Sequence, residues 1–303
     1  MAVAVLAAAL LLVAWFGLSL PPPVPPLAGA FTEGTLALDG GARHFHRYAP
    51  PTLADDAPIV LVLHGTGEDG LRIRRDTAYE LDAFADRLGF SVLYPDGLSR
   101  QWNDCRPKSS PTADVDDVGF LLALVDQEHR PGAPLFVFGF SNGGQMALRL
   151  AVEHPERVRA AAVTGANLPT PDFFRCTSTS APAPLLFANG TADPIVPFAG
   201  GHVTIFHVID RGYAYSADET ARRFAERLDA GTPVVDEPAP HVTRRRWSSP
   251  ERPLVEQLIF EGGGHVVAQP HWRFPRLLGP TPTFDLPAEV IAFFGLATDG
   301  GTP

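Results

Sequence analysis

Apolar residues follow different rhythms along the chain. Residues 1–20 are almost all apolar, relieved only by Gly17 and Ser19, and no charged side chain occurs before Glu33. Residues 32–50 then alternate weakly, and Arg43-His44-Phe45-His46-Arg47-Tyr48 reads as an edge strand. Ile59-Val60-Leu61-Val62-Leu63 is a continuous apolar run that stops at His64-Gly65. Such a run suits a strand buried on both faces of a parallel sheet. Further strands are predicted over 90–94, 135–138, 159–163, 185–188 and 254–260. Helical spacing, such as Leu81, Phe84, Ala85 and Leu88 ahead of Gly89, predicts helices over 79–88, 118–125, 145–154, 217–228 and 287–294. Ser216-Ala217-Asp218-Glu219 has the pattern of a capping box. The proline-rich stretch 231–240 reads as a surface loop.

Strands alternating with helices predict βαβ units and an α/β domain with a mostly parallel sheet. No repeat or long linker divides the chain, so one domain is expected over 31–296, with a flexible tail at 297–303. Composition narrows the class. Acidic side chains outnumber basic ones 34 to 24, for a formal net charge of −10, which opposes general nucleic-acid binding. Two cysteines exclude a disulfide-dense scaffold and a multi-cysteine zinc array. Of the 24 basic residues only Lys108 is a lysine, a bias of composition more than of function.

The N-terminal run predicts export. Ala28-Gly29-Ala30 fits the small-x-small site of a signal peptidase, giving a mature start at Phe31. The run lacks the usual basic start and is long enough to span a bilayer, so a membrane tether through residues 1–20 is the alternative. Both place the domain outside the cytoplasm.

The chemistry centres on Gly139-Phe140-Ser141-Asn142-Gly143-Gly144, between a strand and a helix. In that context G-x-S-x-G sets a serine on a tight turn with Oγ projecting from the sheet. The Asn142 N–H then lies at a helix start, where it can hold an oxyanion. A serine needs a base, itself oriented by a carboxylate. Asp193, in Asn189-Gly190-Thr191-Ala192-Asp193-Pro194, follows the strand 185–188 and is the preferred acid; Asp210 and Asp218 are rivals, the latter better explained as a helix cap. His265, in Glu261-Gly262-Gly263-Gly264-His265, follows the last strand and is the preferred base, with His271 behind it. His64-Gly65-Thr66-Gly67 follows the first buried strand, where Thr66 is the candidate for the second oxyanion N–H. No companion ligands support a metal at His64.

This set resembles the catalytic domain of the polyhydroxybutyrate depolymerase and feruloyl esterase group of α/β-hydrolases. The resemblance rests on Leu63-His64-Gly65, Tyr94-Pro95-Asp96-Gly97 with Gln101-Trp102-Asn103, Asp116-Asp117-Val118-Gly119-Phe120, and the serine motif. It continues through Gly190-Thr191-Ala192-Asp193-Pro194-Ile195-Val196-Pro197, Ser216-Ala217-Asp218-Glu219-Thr220 and the segment ending in His265. It implies a serine esterase acting on a small or oligomeric ester through Ser141, Asp193 and His265, with no metal or organic cofactor. A serine peptidase and a non-catalytic binding protein on the same scaffold are the alternatives. The group usually carries Trp-Pro soon after its histidine, whereas Val266-Val267-Ala268-Gln269-Pro270-His271-Trp272 stands here. The resemblance and an oxidising compartment also suggest a disulfide between Cys105 and Cys176. Trp102, Phe140, Phe198 and Trp272 are candidates for a pocket wall or for the core. Asp116 and Asp117 read as helix caps, and Arg244-Arg245-Arg246 as a solvated strand edge.

Overall fold

The run Ile59–Leu63 forms a strand whose five side chains are all 0% exposed. Each such side chain contributes roughly 1.5–3 kcal/mol by leaving water. The computed structural model describes residues 21–38, 40–106, 114–128, 132–176, 181–249 and 253–297. The first half of the chain gives β1 (Ala30–Leu38), β2 (Gly41–Ala49), β3 (Ile59–Leu63), α1 (Gly70–Asp76), α2 (Glu80–Leu88), β4 (Ser91–Pro95), α3 (Asp117–Glu128), β5 (Leu135–Phe140) and α4 (Asn142–Glu153). The second half gives β6 (Val158–Thr164), β7 (Leu185–Gly190), β8 (Gly201–Ile205), β9 (Ile209–Ala214), α5 (Ala217–Arg227), β10 (Val234–Ala239), β11 (Val242–Ser248), β12 (Pro253–Phe260) and α6 (Leu286–Phe293).

Ten strands form one sheet in the order β1-β2-β4-β3-β5-β6-β7-β12-β11-β10. The six central strands, β4 to β12, run parallel, and antiparallel hairpins extend both edges. Alternate residues feed two cores. Ile59, Leu61 and Leu63 pack with Leu121, Ala147 and Phe224 of α3, α4 and α5, while Val60 and Val62 face Ile73, Leu81 and Ile291 of α1, α2 and α6. This is the α/β-hydrolase arrangement that the sequence predicts.

Several elements differ from expectation. The segment 231–240 contains a strand, not only a loop: β10 pairs with β11. Pro238 is tolerated because β10 is an edge strand whose register shifts between Asp236 and Ala239. The strand around 43–48 is not an edge, since β1 covers it. The arginine triplet lies inside the sheet on β11 with partners: Arg244 meets Asp236 and Glu289, Arg245 meets Asp218, and Arg246 meets Asp236. Asp116 does cap α3, accepting Gly119 N–H at 2.8 Å. Asp117 does not. It is fully buried, 2.7 Å from Arg43, and accepts Asn103 N–H at 2.7 Å. Ser216, not Asp218, caps α5 through Glu219 N–H, while Asp218 meets Arg245.

The leader or tether expectation covers residues 1–30, of which 1–20 lie outside the described residues, as does most of the tail. Among the described residues no helix is long and apolar enough to cross a membrane. The segment just ahead of Phe31 is docked on the domain. Ala28 N–H donates to Asp86 Oδ2 and Gly29 N–H to the Tyr48 hydroxyl, both at 2.7 Å, and Tyr48 donates to the same Asp86 oxygen. Burial and Asp86 together push the Tyr48 hydroxyl well above its usual range. Leu27 packs against the core beside them. A chain that begins at Phe31 is therefore expected to be about 1–3 kcal/mol less stable than one that begins at Leu27. Denaturant unfolding of the two measures it, and equal midpoints would show that the docked segment contributes nothing.

Candidate active site

The parallel strands end on one edge of the sheet, and Thr66, Ser141, Asp193 and His265 each lie just beyond the end of one of them, β3, β5, β7 and β12. Ser141 directly follows β5, with φ 55° and ψ −118°. L-residues avoid that region unless their surroundings impose it. Here the surroundings do. α4 starts at the next residue and lies close against the strands. A Cβ on Gly139 would meet the carbonyl of Gly143, and one on Gly143 would meet the carbonyl oxygens of Leu63 and His64. Only glycine at both positions allows so close an approach.

His265 Nε2 lies 2.9 Å from Ser141 Oγ, and His265 Nδ1 lies 2.7 Å from Asp193 Oδ2. Asp193 is oriented in turn, since its Oδ1 accepts the N–H groups of Ile195 and Val196, both at 2.8 Å. With Nδ1–H donating to the carboxylate, Nε2 keeps its lone pair for the serine proton. The imidazole is held at the rear by Phe140, ring centroids 5.0 Å apart. Such an arrangement can remove a proton from Ser141 Oγ and stabilise the resulting imidazolium. Thr66 and Asn142 border the same cavity as Ser141, and neither N–H has an acceptor among the described residues.

The Asn142 side chain ties the start of α4 to the loop after β4. Its Oδ1 accepts Trp102 N–H at 2.7 Å, and its Nδ2 donates to Asp104 Oδ2 at 2.7 Å. Trp102 Nε1 donates to His64 O at 3.0 Å, and His64 Nε2 accepts Gly97 N–H at 2.9 Å. With Nδ1–H donating to Gly65 O at 2.8 Å, His64 is fixed as one neutral tautomer. Burial pushes its pKa down to about 4. Behind the Thr66 loop, Gly65 N–H donates to Glu68 Oε2 at 2.9 Å, and burial together with Asp76 pushes Glu68 up to about 8. Cys105 and Cys176 form a disulfide that pins the residue between Asp104 and Arg106.

Other candidates are placed elsewhere. None of the aromatic pocket candidates borders the cavity at Ser141. Trp102 is fully buried beneath the His64 loop, and Trp272 packs on Phe274 at 4.5 Å in the core. Phe140 backs His265, and Phe198 is only half-buried, its carbonyl accepting Ala217 N–H. Trp102, Phe140 and Trp272 are core residues, as large aromatic rings commonly are. His271 is exposed and faces Glu80, and Asp210 is exposed and faces His202. The cavity wall comes instead from Gln145, Ile195, Val203, Arg106 and Arg211, with Asp104 behind it. The sequence reading missed these because Arg106 and Arg211 are 105 residues apart and no local pattern joins them. Among the described residues, the one cluster with metal-ligand spacing is Cys105, Glu153 and Cys176, and both its cysteines are in the disulfide.

The model of the family described as "alpha/beta hydrolase fold" matches residues 58–259. The chain is 30% identical over 270 residues to NocK of Nocardia uniformis subsp. tsuyamanensis, a protein named as an esterase, covering 80% of this chain and 75% of NocK. It is 24% identical over 230 residues to the bifunctional acetylxylan esterase/xylanase XynS20E of Neocallimastix patriciarum, covering 75% of this chain but 31% of that protein. Among solved structures, the acetyl xylan esterase from Aspergillus awamori superposes with a TM-score of 0.60 at 17% identity, covering 89% of this chain and 100% of the other.

His64 supplies a test of the loop network. The folded protein excludes a proton that unfolded histidine binds below about pH 6.5, so this group's contribution to stability falls as pH drops toward 4, by roughly 3 kcal/mol in all. An NMR titration of the folded protein is expected to place the His64 midpoint near pH 4. A midpoint near 6.5 would show that the imidazole is not sealed beneath the loop.

Proposed function

The chain belongs to the α/β-hydrolase fold family, and from that premise we propose that it is a serine esterase acting outside the cytoplasm on a small or oligomeric carboxylic ester. The observation that carries the reading is the alignment of Ser141 Oγ, His265 and Asp193, with separations of 2.9 and 2.7 Å, on a serine held at positive φ. In this reading Ser141 Oγ attacks the ester carbonyl carbon while His265 Nε2 takes its proton. The carbonyl oxygen becomes an oxyanion that the N–H groups of Thr66 and Asn142 hold. His265 returns the proton to the departing alcohol, leaving an acyl-enzyme. Water then attacks the acyl carbon while His265 takes its proton, and His265 passes that proton to Ser141 Oγ as the acyl–oxygen bond breaks and the acid leaves. No step calls for a metal or organic cofactor.

The names of the relatives agree with an ester substrate, including acetylated xylan for XynS20E. The Cys105–Cys176 disulfide supports an oxidising compartment, because such bonds persist there and are rare in the cytosol. Ser141→Ala is expected to lower hydrolysis of p-nitrophenyl acetate by at least about 10³-fold while circular dichroism and melting stay close to wild type. Retained turnover in that variant would remove Ser141 from the role of nucleophile.

A further inference from the structure

The Thr66 N–H belongs to the peptide that joins Thr66 to Gly65. A peptide is planar and trans, so the direction of that N–H is set by the Gly65 carbonyl on its other side. Gly65 O accepts His64 Nδ1–H at 2.8 Å and Glu68 N–H at 3.2 Å. Gly65 N–H donates to Glu68 Oε2 at 2.9 Å, so Glu68 holds Gly65 at both its N–H and its carbonyl. Beyond Thr66, Gly67 N–H donates to Arg100 O at 2.8 Å. Glu68 is half-buried, and its carboxyl turns inward to hydrogen-bond with that of Asp76, the last residue of α1. Asp76 is fully buried, with both carboxylate oxygens 2.8 Å from Arg72 Nε and one of them 3.7 Å from Arg75 Nε. The Asp76 carbonyl accepts Gln269 Nε2 at 2.7 Å, and Gln269 lies on the same loop as His265. The end of α1 thus braces both the loop of Thr66 and the loop of the base.

An ionised carboxylate only accepts hydrogen bonds, so a bond between two carboxyls requires a proton on one of them. Arg72 and Arg75 face Asp76 and favour its charged form, which leaves the proton on Glu68. Burial and the Asp76 charge push the Glu68 carboxyl up to about 8, and Arg72 opposes them. The next carboxylate along the chain, Asp69, accepts Arg72 N–H and meets Arg100. From β5 the ring of Phe140 faces Gly65, and from the His265 loop Gln269 faces Asp76, both uncharged. His64 is neutral above about pH 4. Protonated Glu68 can donate its O–H to Asp76 and keep its carbonyl oxygen for Gly65 N–H. Ionised, it would repel Asp76 and set a negative charge behind the donor that has to hold an oxyanion.

We propose that protonated Glu68 is the positioning residue of the oxyanion hole: bridged to Asp76 by one proton, it fixes the Gly65–Thr66 peptide so that the Thr66 N–H meets the oxyanion. This rests on Ser141 being the nucleophile and deepens that reading. Two substitutions separate the roles of shape and charge. Glu68→Gln keeps an acceptor for Gly65 N–H and a donor for Asp76 but cannot ionise, whereas Glu68→Ala keeps neither. With p-nitrophenyl acetate at pH 7, Glu68→Ala is expected to lower kcat/KM by at least about tenfold, and Glu68→Gln to recover most of that loss. Wild-type kcat/KM is expected to fall by at least about fivefold as pH rises through about 8, and Glu68→Gln to show no such fall. A Glu68→Ala variant within about twofold of wild type overturns the proposal. So does a Glu68→Gln variant as slow as Glu68→Ala. An alkaline fall that persists in Glu68→Gln, or one that is absent from wild type, also overturns it, and this comparison stands even if Glu68→Ala does not fold. Turnover that survives in Ser141→Ala sinks the nucleophile reading instead, and is measured with Glu68 unchanged.

Discussion

The backbone of Ser141 is the constraint on which the rest of the site depends. Its φ of 55° is unfavourable for a residue with a side chain, yet it is the turn that lets Oγ leave the sheet toward His265. That turn exists only because α4 can approach β3 until the Gly143 backbone lies against the carbonyls of Leu63 and His64. The approach is maintained by burial on that face of the sheet, where Leu61 and Leu63 share a core with Met146, Ala147 and Leu150 of α4. Core packing and nucleophile geometry are thus one problem, solved by apolar strands and two glycines.

A second set of contacts passes the constraint outward. Asn142 reaches from the start of α4 to Trp102 and Asp104, and Trp102 reaches back to His64. Asp117 holds Asn103 and is itself neutralised by Arg43. The loop after β4 is therefore fixed at Trp102, Asn103, Asp104 and, through the disulfide, Cys105. The same loop carries Arg106 to the cavity, so the charge of the wall and the geometry of the nucleophile share one support.

Much of this was legible in the sequence for physical reasons. Parallel strands buried on both faces have to be continuously apolar, which made β3, β5 and β7 visible. A strained turn needs its glycines, which marked Ser141, and the loops beyond β7 and β12 gave positions to Asp193 and His265. The hairpins were harder, both β8–β9, which forms a two-stranded sheet of its own, and β10–β11 at the edge of the main one. The β8–β9 turn places Phe206 and His207 at positive φ, where Asn or Gly is the usual signal. β10 contains Pro238 and leads into Pro240-His241, so its residues look like a loop although they pair with β11. Asp117 looked like a cap because it lies beside one, and only the fold brings Arg43 to it. None of the aromatic candidates borders the cavity at Ser141, since ring size signals burial as readily as a pocket. The arginine wall had no local signal at all.

Covalent trapping at the serine tests the nucleophile most directly. A fluorophosphonate reacts with a serine only where a base activates it and N–H donors hold the phosphonyl oxygen. Intact mass and peptide mapping are expected to show one adduct per chain on Ser141, absent in Ser141→Ala and formed far more slowly in His265→Ala. No adduct on the folded wild-type protein, or an adduct on another residue, would contradict the account.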